Sequence, residues 1–246
     1  MKRSPQICII VPVFNEAKRL RVESYQDFLE NNSYCHFIFV DDASQDSSFT
    51  FLQRLKEKFP KQVLIFKNPI NLGKANTIYQ GLILAQTWAP FAIVGYWDAD
   101  LSTPLEEIPL LLTSILEKPQ CILVMGSRRN THENQIHPRF WRHIIGRGFA
   151  TISSLLFSLP YYDTQCGAKL LHAPHAYSIC HKPFISRWLV DIEIILRLRV
   201  SFPQGVIREI PVSSWVYQMG SSLKFWDIGK IINELRKVYI YYKYKK

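Results

Sequence analysis

The first two-thirds of the chain alternate strand-like and helix-like segments, and every strand-like run ends on polar or acidic residues. Ile7-Cys8-Ile9-Ile10-Val11 is a short apolar run stopped by Pro12, and Phe37-Ile38-Phe39-Val40 stops at Asp41-Asp42. Further runs cover residues 63–66, 91–97 and 121–125, the run at 91–97 closing on Asp98. Between them, Phe49, Leu52, Leu55 and Phe59 share one helical face, as do Ile78, Leu82 and Ala85. Ser47 or Ser48 is placed to cap the first of these helices, and Thr103-Pro104-Leu105-Glu106 has the pattern of a capping box with proline at the first helical position. Strands alternating with helices imply an α/β fold with a mostly parallel sheet covered on both faces. In such sheets ligands lie beyond the carboxyl ends of the strands.

The polar residues gather at those ends: Asn15-Glu16, Asp41-Asp42, Asn71, Asp98 to Asp100, and Arg128. Asp98-Ala99-Asp100 follows an apolar strand, and a tight turn there would bring both carboxylates to one cation. Carboxylate oxygens are hard ligands and suit Mg²⁺ or Mn²⁺. The alternative is a solvated acidic turn.

Composition narrows the field. Hydrophobic residues at 48% and charged residues at 20% fit a folded globule and exclude a disordered chain. Five scattered cysteines without CxxC spacing argue against a disulfide framework or a zinc site and fit a reducing compartment. The apolar stretch at residues 148–160 is shorter than the roughly 20 residues a spanning helix needs. It reads as a buried or interfacial helix, so a cytoplasmic protein, peripheral on the cytoplasmic membrane face, is expected. The net charge of +10 is open to a basic surface, an anionic membrane, an anionic substrate or nucleic acid. Much of it sits at residues 224–246, where seven basic residues face two acidic ones among aromatics. That suits either a helix on an anionic bilayer or a helix packed on the domain with a basic end. Two units follow: residues 1–223 as one catalytic domain, and residues 224–246 as a basic aromatic tail.

The motifs occur in a definite order: Ile9 to Glu16, Val40 to Asp46, Asn71-Leu72-Gly73-Lys74, Asp98 to Ser102, and Gly126-Ser127-Arg128. This series resembles the GT-A glycosyltransferases of family 2. The later segments Asp163-Thr164-Gln165-Cys166-Gly167-Ala168-Lys169, Arg187-Trp188-Leu189-Val190-Asp191-Ile192-Glu193 and Glu209-Ile210-Pro211-Val212 resemble the dolichyl-phosphate glucosyltransferases within it. The resemblance implies an inverting enzyme that moves glucose from UDP-glucose to a polyprenyl (dolichyl-type) phosphate, with Mg²⁺ or Mn²⁺. It implies that Pro12, Glu16, Asp41, Asp42, Asn71, Lys74, Asp98 and Ala99 bind the nucleotide-sugar, and that Asp98 and Asp100 hold the metal. Asp100, Arg128, Arg142 and Asp191 are the expected catalytic residues, and Arg139, Gln165 and Lys224 the expected acceptor contacts. The implied partners are a nucleotide-sugar donor, a lipid-phosphate acceptor and an anionic membrane surface, with no nucleic acid.

Three departures and several alternatives stand beside this. Ala43, Ala75 and Ala168 replace residues usual in that group, two of them glycines, so the turn at Ala43 and the wall near Ala168 are expected to differ. Those relatives usually carry a membrane helix that finds no counterpart in these residues. Asp191 and Glu193 read either as contacts to sugar hydroxyls, with a base role for an alcohol acceptor, or as structural carboxylates paired with Arg187 or Arg197. Trp188 and Trp215 read as core residues or sugar-stacking platforms. A mannosyl or N-acetylhexosaminyl transferase, a non-catalytic donor-binding relative and a basic nucleic-acid-binding module are the competing functions.

Overall fold

The computed structural model of the chain describes residues 5–129, 156–216 and 228–243. Its centre is a seven-stranded sheet of β1 (Ile7–Val13), β2 (Cys35–Asp41), β3 (Val63–Lys67), β4 (Ile93–Trp97), β5 (Cys121–Ser127), β6 (Ala168–His172) and β7 (Val206–Pro211), in the order β3-β2-β1-β4-β6-β5-β7. All pairings are parallel except those of β6, which runs antiparallel to both β4 and β5. The expected mostly parallel sheet is therefore present, with one reversed strand inserted.

The helices are α1 (Val22–Asn31), α2 (Ser48–Lys58), α3 (Lys74–Trp88), α4 (Ile108–Leu116), α5 (Ala173–Ser178), α6 (Val190–Ser201) and α7 (Ile228–Lys243). Alternation along β1 assigns them to two faces. Ile7, Ile9, Val11 and Val13 point into a core shared with Tyr25 and Phe28 of α1, Leu52 and Leu55 of α2, and Leu111 and Ile115 of α4. Cys8 and Ile10 point into the opposite core, with Ile78 and Leu82 of α3, Ile194 and Leu198 of α6, and Leu235 and Val238 of α7. Burial on both faces explains why the central strands read as continuous apolar runs.

Two helix starts differ from expectation. Pro104 is extended (ψ 154°) and precedes a single 3-10 turn, Leu105–Glu107, with α4 following from Ile108 and Pro109 in its first turn. No capping box forms. The Thr103 carbonyl instead accepts the Trp97 indole N–H at 2.6 Å, a bond that this buried ring requires. At α2 neither Ser47 nor Ser48 caps through its side chain. The Asp46 carboxylate accepts the Ser48 N–H at 2.9 Å, and Ser48 Oγ accepts the Glu16 N–H at 2.8 Å.

Glu193 and Arg197, four residues apart on α6, form a buried ion pair at 2.9 Å. This is the structural pairing weighed for Glu193. Its carboxylate also accepts the Ile185 N–H at 3.0 Å and the Ser186 N–H at 3.2 Å. Arg197 donates to the carbonyls of Ile179, Lys182 and Pro183. Together they satisfy the irregular segment before α6, and Tyr242 of α7 closes over the pair, accepting from Arg197 Nε at 3.2 Å.

Glu193→Ala would leave Arg197 charged, buried and unpaired. A loss of about 3–5 kcal/mol is expected by urea unfolding. A loss below about 1 kcal/mol would show that the pair is not holding this segment.

Candidate functional site at the carboxyl edge of the sheet

β1 to β5 all deliver their last residues to one edge. Because β6 is reversed, it begins there: Ala168 pairs with Trp97, the last residue of β4. The segment Asp163 to Gly167 is thereby carried to the same edge as Asp98.

The ends of β1 and β2 are laced together. Asn15 and Ala43 both take left-handed backbone, at φ 54° and 62°. Asparagine tolerates this conformation; for alanine it costs about 1–2 kcal/mol relative to a relaxed helix-type conformation. Ala43 therefore adopts a conformation that glycine would adopt freely. The Asn15 N–H donates to Ser44 Oγ at 3.0 Å, and Asn15 Oδ1 accepts the Gln45 N–H at 2.8 Å. Pro12 lies within β1, opposite Val40.

The two aspartates after β2 differ in kind. Asp41 is fully buried. Its Oδ2 accepts the Ser44 N–H at 3.2 Å and lies 3.8 Å from Lys67 Nζ, while Oδ1 has no partner among the described residues. Asp42 is saturated: Oδ1 accepts from Asn68 Nδ2 and the Leu72 N–H, and Oδ2 from the Gly73 N–H, all at 2.8 Å. Asp42 thus fixes the loop that carries Asn71 and Lys74.

Asp98 to Leu101 form the tight turn expected of them. The Leu101 N–H returns to the Asp98 carbonyl at 3.2 Å, Leu101 has φ 52°, and Asp100 Oδ1 accepts the Ser102 N–H at 3.0 Å. Ala99 is buried in the turn. The Asp98 carboxylate pairs with Lys74 Nζ at 2.6 Å and lies against Gly167, where an added Cβ would sit 1.9 Å from Asp98 Oδ2. Asp100 Oδ2 is 3.9 Å from Arg19, which in turn pairs with Glu16. Burial, helped by the charges of Asp100 and Asp98, pushes the Glu16 carboxyl up to about 7 against the pull of Arg19. Glu16 Oε2 is buried without a partner among the described residues.

Among the described residues no three His, Cys, Asp or Glu side chains converge as a complete metal cage. Mg²⁺ does not need one: it usually takes one or two carboxylates and completes its shell with phosphate oxygens and water. The all-oxygen pair Asp98 and Asp100 fits a hard cation of that kind.

Beneath the turn lies a buried charge network. Lys169 is fully buried, and its Nζ donates to the carbonyls of Thr164 (3.0 Å) and Cys166 (2.7 Å) and to Asp191. Tyr96 donates its hydroxyl to the same Asp191 oxygen. Burial works to raise the Asp191 carboxyl, but Lys169 and Lys74 hold it below the ordinary carboxylate range. Asp191 is 2% exposed and touches Lys169 and Tyr96, below the open edge.

Arg128 follows β5 and meets Asp163 in a two-pronged pair, Nε to Oδ2 and Nη2 to Oδ1, both 2.7 Å; its guanidinium lies 5.6 Å from the Trp215 ring centre. Gln165, half-buried, has its Nε2 buried without a partner among the described residues. Trp188 is half-buried, as is Trp215, which packs on the first core. Arg139, Arg142, Lys224 and most of the apolar stretch at 148–160 lie outside the described residues.

The edge thus brings together Glu16, Asp41, Asp42, Asn71, Lys74, Asp98, Asp100, Arg128 and Gln165. Sequence reasoning did not single out Arg19, Lys67, Tyr96, Asp163 or Lys169 as site residues. Arg19 had a signal, since it stands three residues after Glu16; Lys169 and Asp163 stood inside a quoted motif but declared no partner.

Asp42→Ala is expected to lower stability by about 3 kcal/mol, because three donors lose a charged acceptor. Asp42→Asn, which keeps one acceptor oxygen, should lose less. An unchanged urea midpoint for Asp42→Ala would contradict the clamp.

Comparison with known proteins agrees with this architecture. The chain is 26% identical to a dolichyl-phosphate beta-glucosyltransferase of Trichomonas vaginalis, over 97% of its own length and 75% of the relative's. It is 28% identical to the dolichyl-phosphate beta-glucosyltransferase of Mus musculus, over 96% and 76%. Its fold matches that of glucosyl-3-phosphoglycerate synthase from Mycobacterium tuberculosis in complex with UDP, with a TM-score of 0.67 at 15% identity, covering 95% of this chain and 79% of that one. The same synthase has been solved with Mn²⁺ and UDP-glucose. The family model for glycosyl transferase family 2 matches residues 8–173, and the chain, a glycosyltransferase of GT-A architecture, belongs to that family.

Proposed function

We propose that the chain transfers glucose, with inversion, from UDP-glucose to a polyprenyl phosphate of the dolichyl type. The observation that carries this is the Asp98–Asp100 turn beside Lys74, an oxygen-donor pair with an adjacent cation, at the edge where a diphosphate would lie. The named activity of the relatives, matched over most of their length, favours glucose over mannose or N-acetylhexosamine. Convergence of Asp41, Asp42, Asp98 and Asp100 on one edge disfavours a polyanion such as nucleic acid there.

Asp98 and Asp100 would hold Mg²⁺ or Mn²⁺, which when bound supplies Lewis-acid stabilisation of the departing diphosphate. Lys74 adds positive charge on the same side. The unpartnered Asp41 Oδ1 is suited to a hydroxyl or N–H of the nucleoside, and Asn71 borders it on the loop that Asp42 holds. Pro12, Glu16 and Ala99 line the strand ends around this position. The acceptor phosphate is already anionic near neutral pH, so it needs orientation and charge compensation more than a strong base. Arg128 and the unpartnered Gln165 Nε2 would serve that end, with Arg139, Arg142 and Lys224 as further acceptor contacts. Asp191, paired and held below the ordinary carboxylate range, would serve the reaction by fixing Lys169 and Tyr96 beside the Asp98 turn.

The lipid acceptor requires a membrane-facing surface. α7 docks by Leu235 and Val238, while its exposed charged side chains are Lys230, Arg236, Lys237 and Lys243. Ile232, at 59% exposure, and Ile240 and Tyr241 interleave with them. Such a face suits an anionic bilayer, at about 1 kcal/mol per basic residue near the surface. No helix among the described residues is long and apolar enough to cross a membrane.

A donor screen tests the proposal: UDP-glucose, GDP-mannose and UDP-N-acetylglucosamine, each offered with polyprenyl phosphate in anionic vesicles. Glucose transfer should dominate. It should fall by about a hundredfold or more in Asp100→Ala, and high salt should partly release the protein from the vesicles. Transfer only from another donor, or none to the lipid, would overturn the assignment.

A further inference from the structure

The segment before α6 joins the C-terminal helix to the loop that carries Lys74. On one side Glu234 of α7 accepts the Arg187 N–H at 3.1 Å and the Trp188 N–H at 3.2 Å. These are backbone donors of an irregular stretch, so without Glu234 they lose their acceptor. On the other side the Arg187 guanidinium donates to Asn71, at 2.6 Å to Oδ1 and 3.0 Å to the backbone carbonyl. The Arg187 carbonyl accepts the Ala75 N–H at 3.0 Å, in the first turn of α3. Packing reinforces these bonds. Gly73 takes φ 83°, and a Cβ there would lie 2.8 Å from Arg187 Cβ and 2.9 Å from its carbonyl oxygen. The loop is thus held from within by Asp42 and from outside by Arg187, and the outer hold is anchored on α7.

We propose that Glu234 and Arg187 form a strut through which the C-terminal helix positions Lys74 for the donor diphosphate. Both are positioning residues. Glu234 sets the Arg187 backbone; Arg187 sets Asn71 and Ala75 on either side of Lys74; Lys74 meets Asp98 at 2.6 Å. The inference rests on the proposed donor site. It adds that a helix whose outer face is basic and apolar is mechanically continuous with donor binding. The pairs it links are 116 residues apart for Arg187 and Asn71, and 47 for Arg187 and Glu234.

The test is a double-mutant cycle on the full-length protein, with UDP affinity in Mn²⁺ read by calorimetry. Glu234→Ala should weaken UDP by at least about fivefold, a typical size for coupling between separated groups. Glu234→Gln, which keeps an acceptor oxygen, should restore most of that loss. In a Lys74→Met background Glu234→Ala should change UDP affinity little, because the residue through which it acts is gone. In turnover the loss should fall on KM for the donor more than on kcat. Unchanged UDP affinity in Glu234→Ala, with Lys74→Met clearly weakened, would overturn the strut and leave the donor site standing. An equal loss from Glu234→Ala in both backgrounds would also overturn it, since that marks a general structural defect. If Lys74→Met itself binds UDP as the wild type does, the donor-site reading fails and the strut fails with it.

Discussion

An ammonium group buried without exposure, that of Lys169, holds the carboxyl edge of the sheet in place. Taking such a charge out of water costs several kcal/mol unless partners surround it. Here they do: Asp191 from α6 balances the charge, and the carbonyls of Thr164 and Cys166 accept hydrogen bonds from the remaining N–H groups. Meeting that demand pins the chain just before β6 and sets Gly167 against the Asp98 carboxylate. The Gly167 carbonyl accepts the Asp98 N–H at 2.9 Å, so the acidic turn is held from the same segment. Removing either member of the Lys169–Asp191 pair would leave the other as an uncompensated buried charge.

The acidic edge and the basic helix divide the net charge of the chain between two tasks. Beside Asp98 and Asp100, Glu16 is pushed upward chiefly by its burial, with a smaller push from the two aspartates against the pull of Arg19. The exposed cations of α7 lie on a different element and suit an anionic surface. The formal total of +10 describes neither region. α7 packs on the domain through Leu235 and Val238, as one of the two readings of the tail expected, and leaves basic and apolar side chains outward, the face proposed for an anionic surface.

Much of the fold was readable because its signals are local. The five parallel strands β1 to β5 and helices α2 and α3 announced themselves by apolar runs or by helical spacing. The Asp98–Asp100 turn was readable from an acidic pair directly after a strand. What escaped depends on distant partners. β6 has five residues, Ala168-Lys169-Leu170-Leu171-His172, and one of its buried positions is a lysine, so it reads as irregular until Asp191 is known to face it. β7 lies at the sheet border with mostly half-exposed residues and carries Arg208 and Glu209. α1 is dominated by polar residues and buries only Tyr25, Phe28 and Leu29. Within the site, Asp41 and Asp42 look equivalent in sequence, yet one keeps an unpartnered oxygen and the other is saturated by a loop about thirty residues away. Spacing alone carries no information about that difference.

Asp98 and Asp100 are proposed to hold a divalent cation in common with the donor diphosphate. Calorimetric titration of UDP with and without Mn²⁺ tests this most directly, in the wild type and in Asp98→Asn and Asp100→Asn. Mn²⁺ should tighten UDP binding by about tenfold or more in the wild type, and either substitution should abolish this gain. Equal UDP affinity with and without Mn²⁺ in the wild type, or a full gain in both variants, would contradict it.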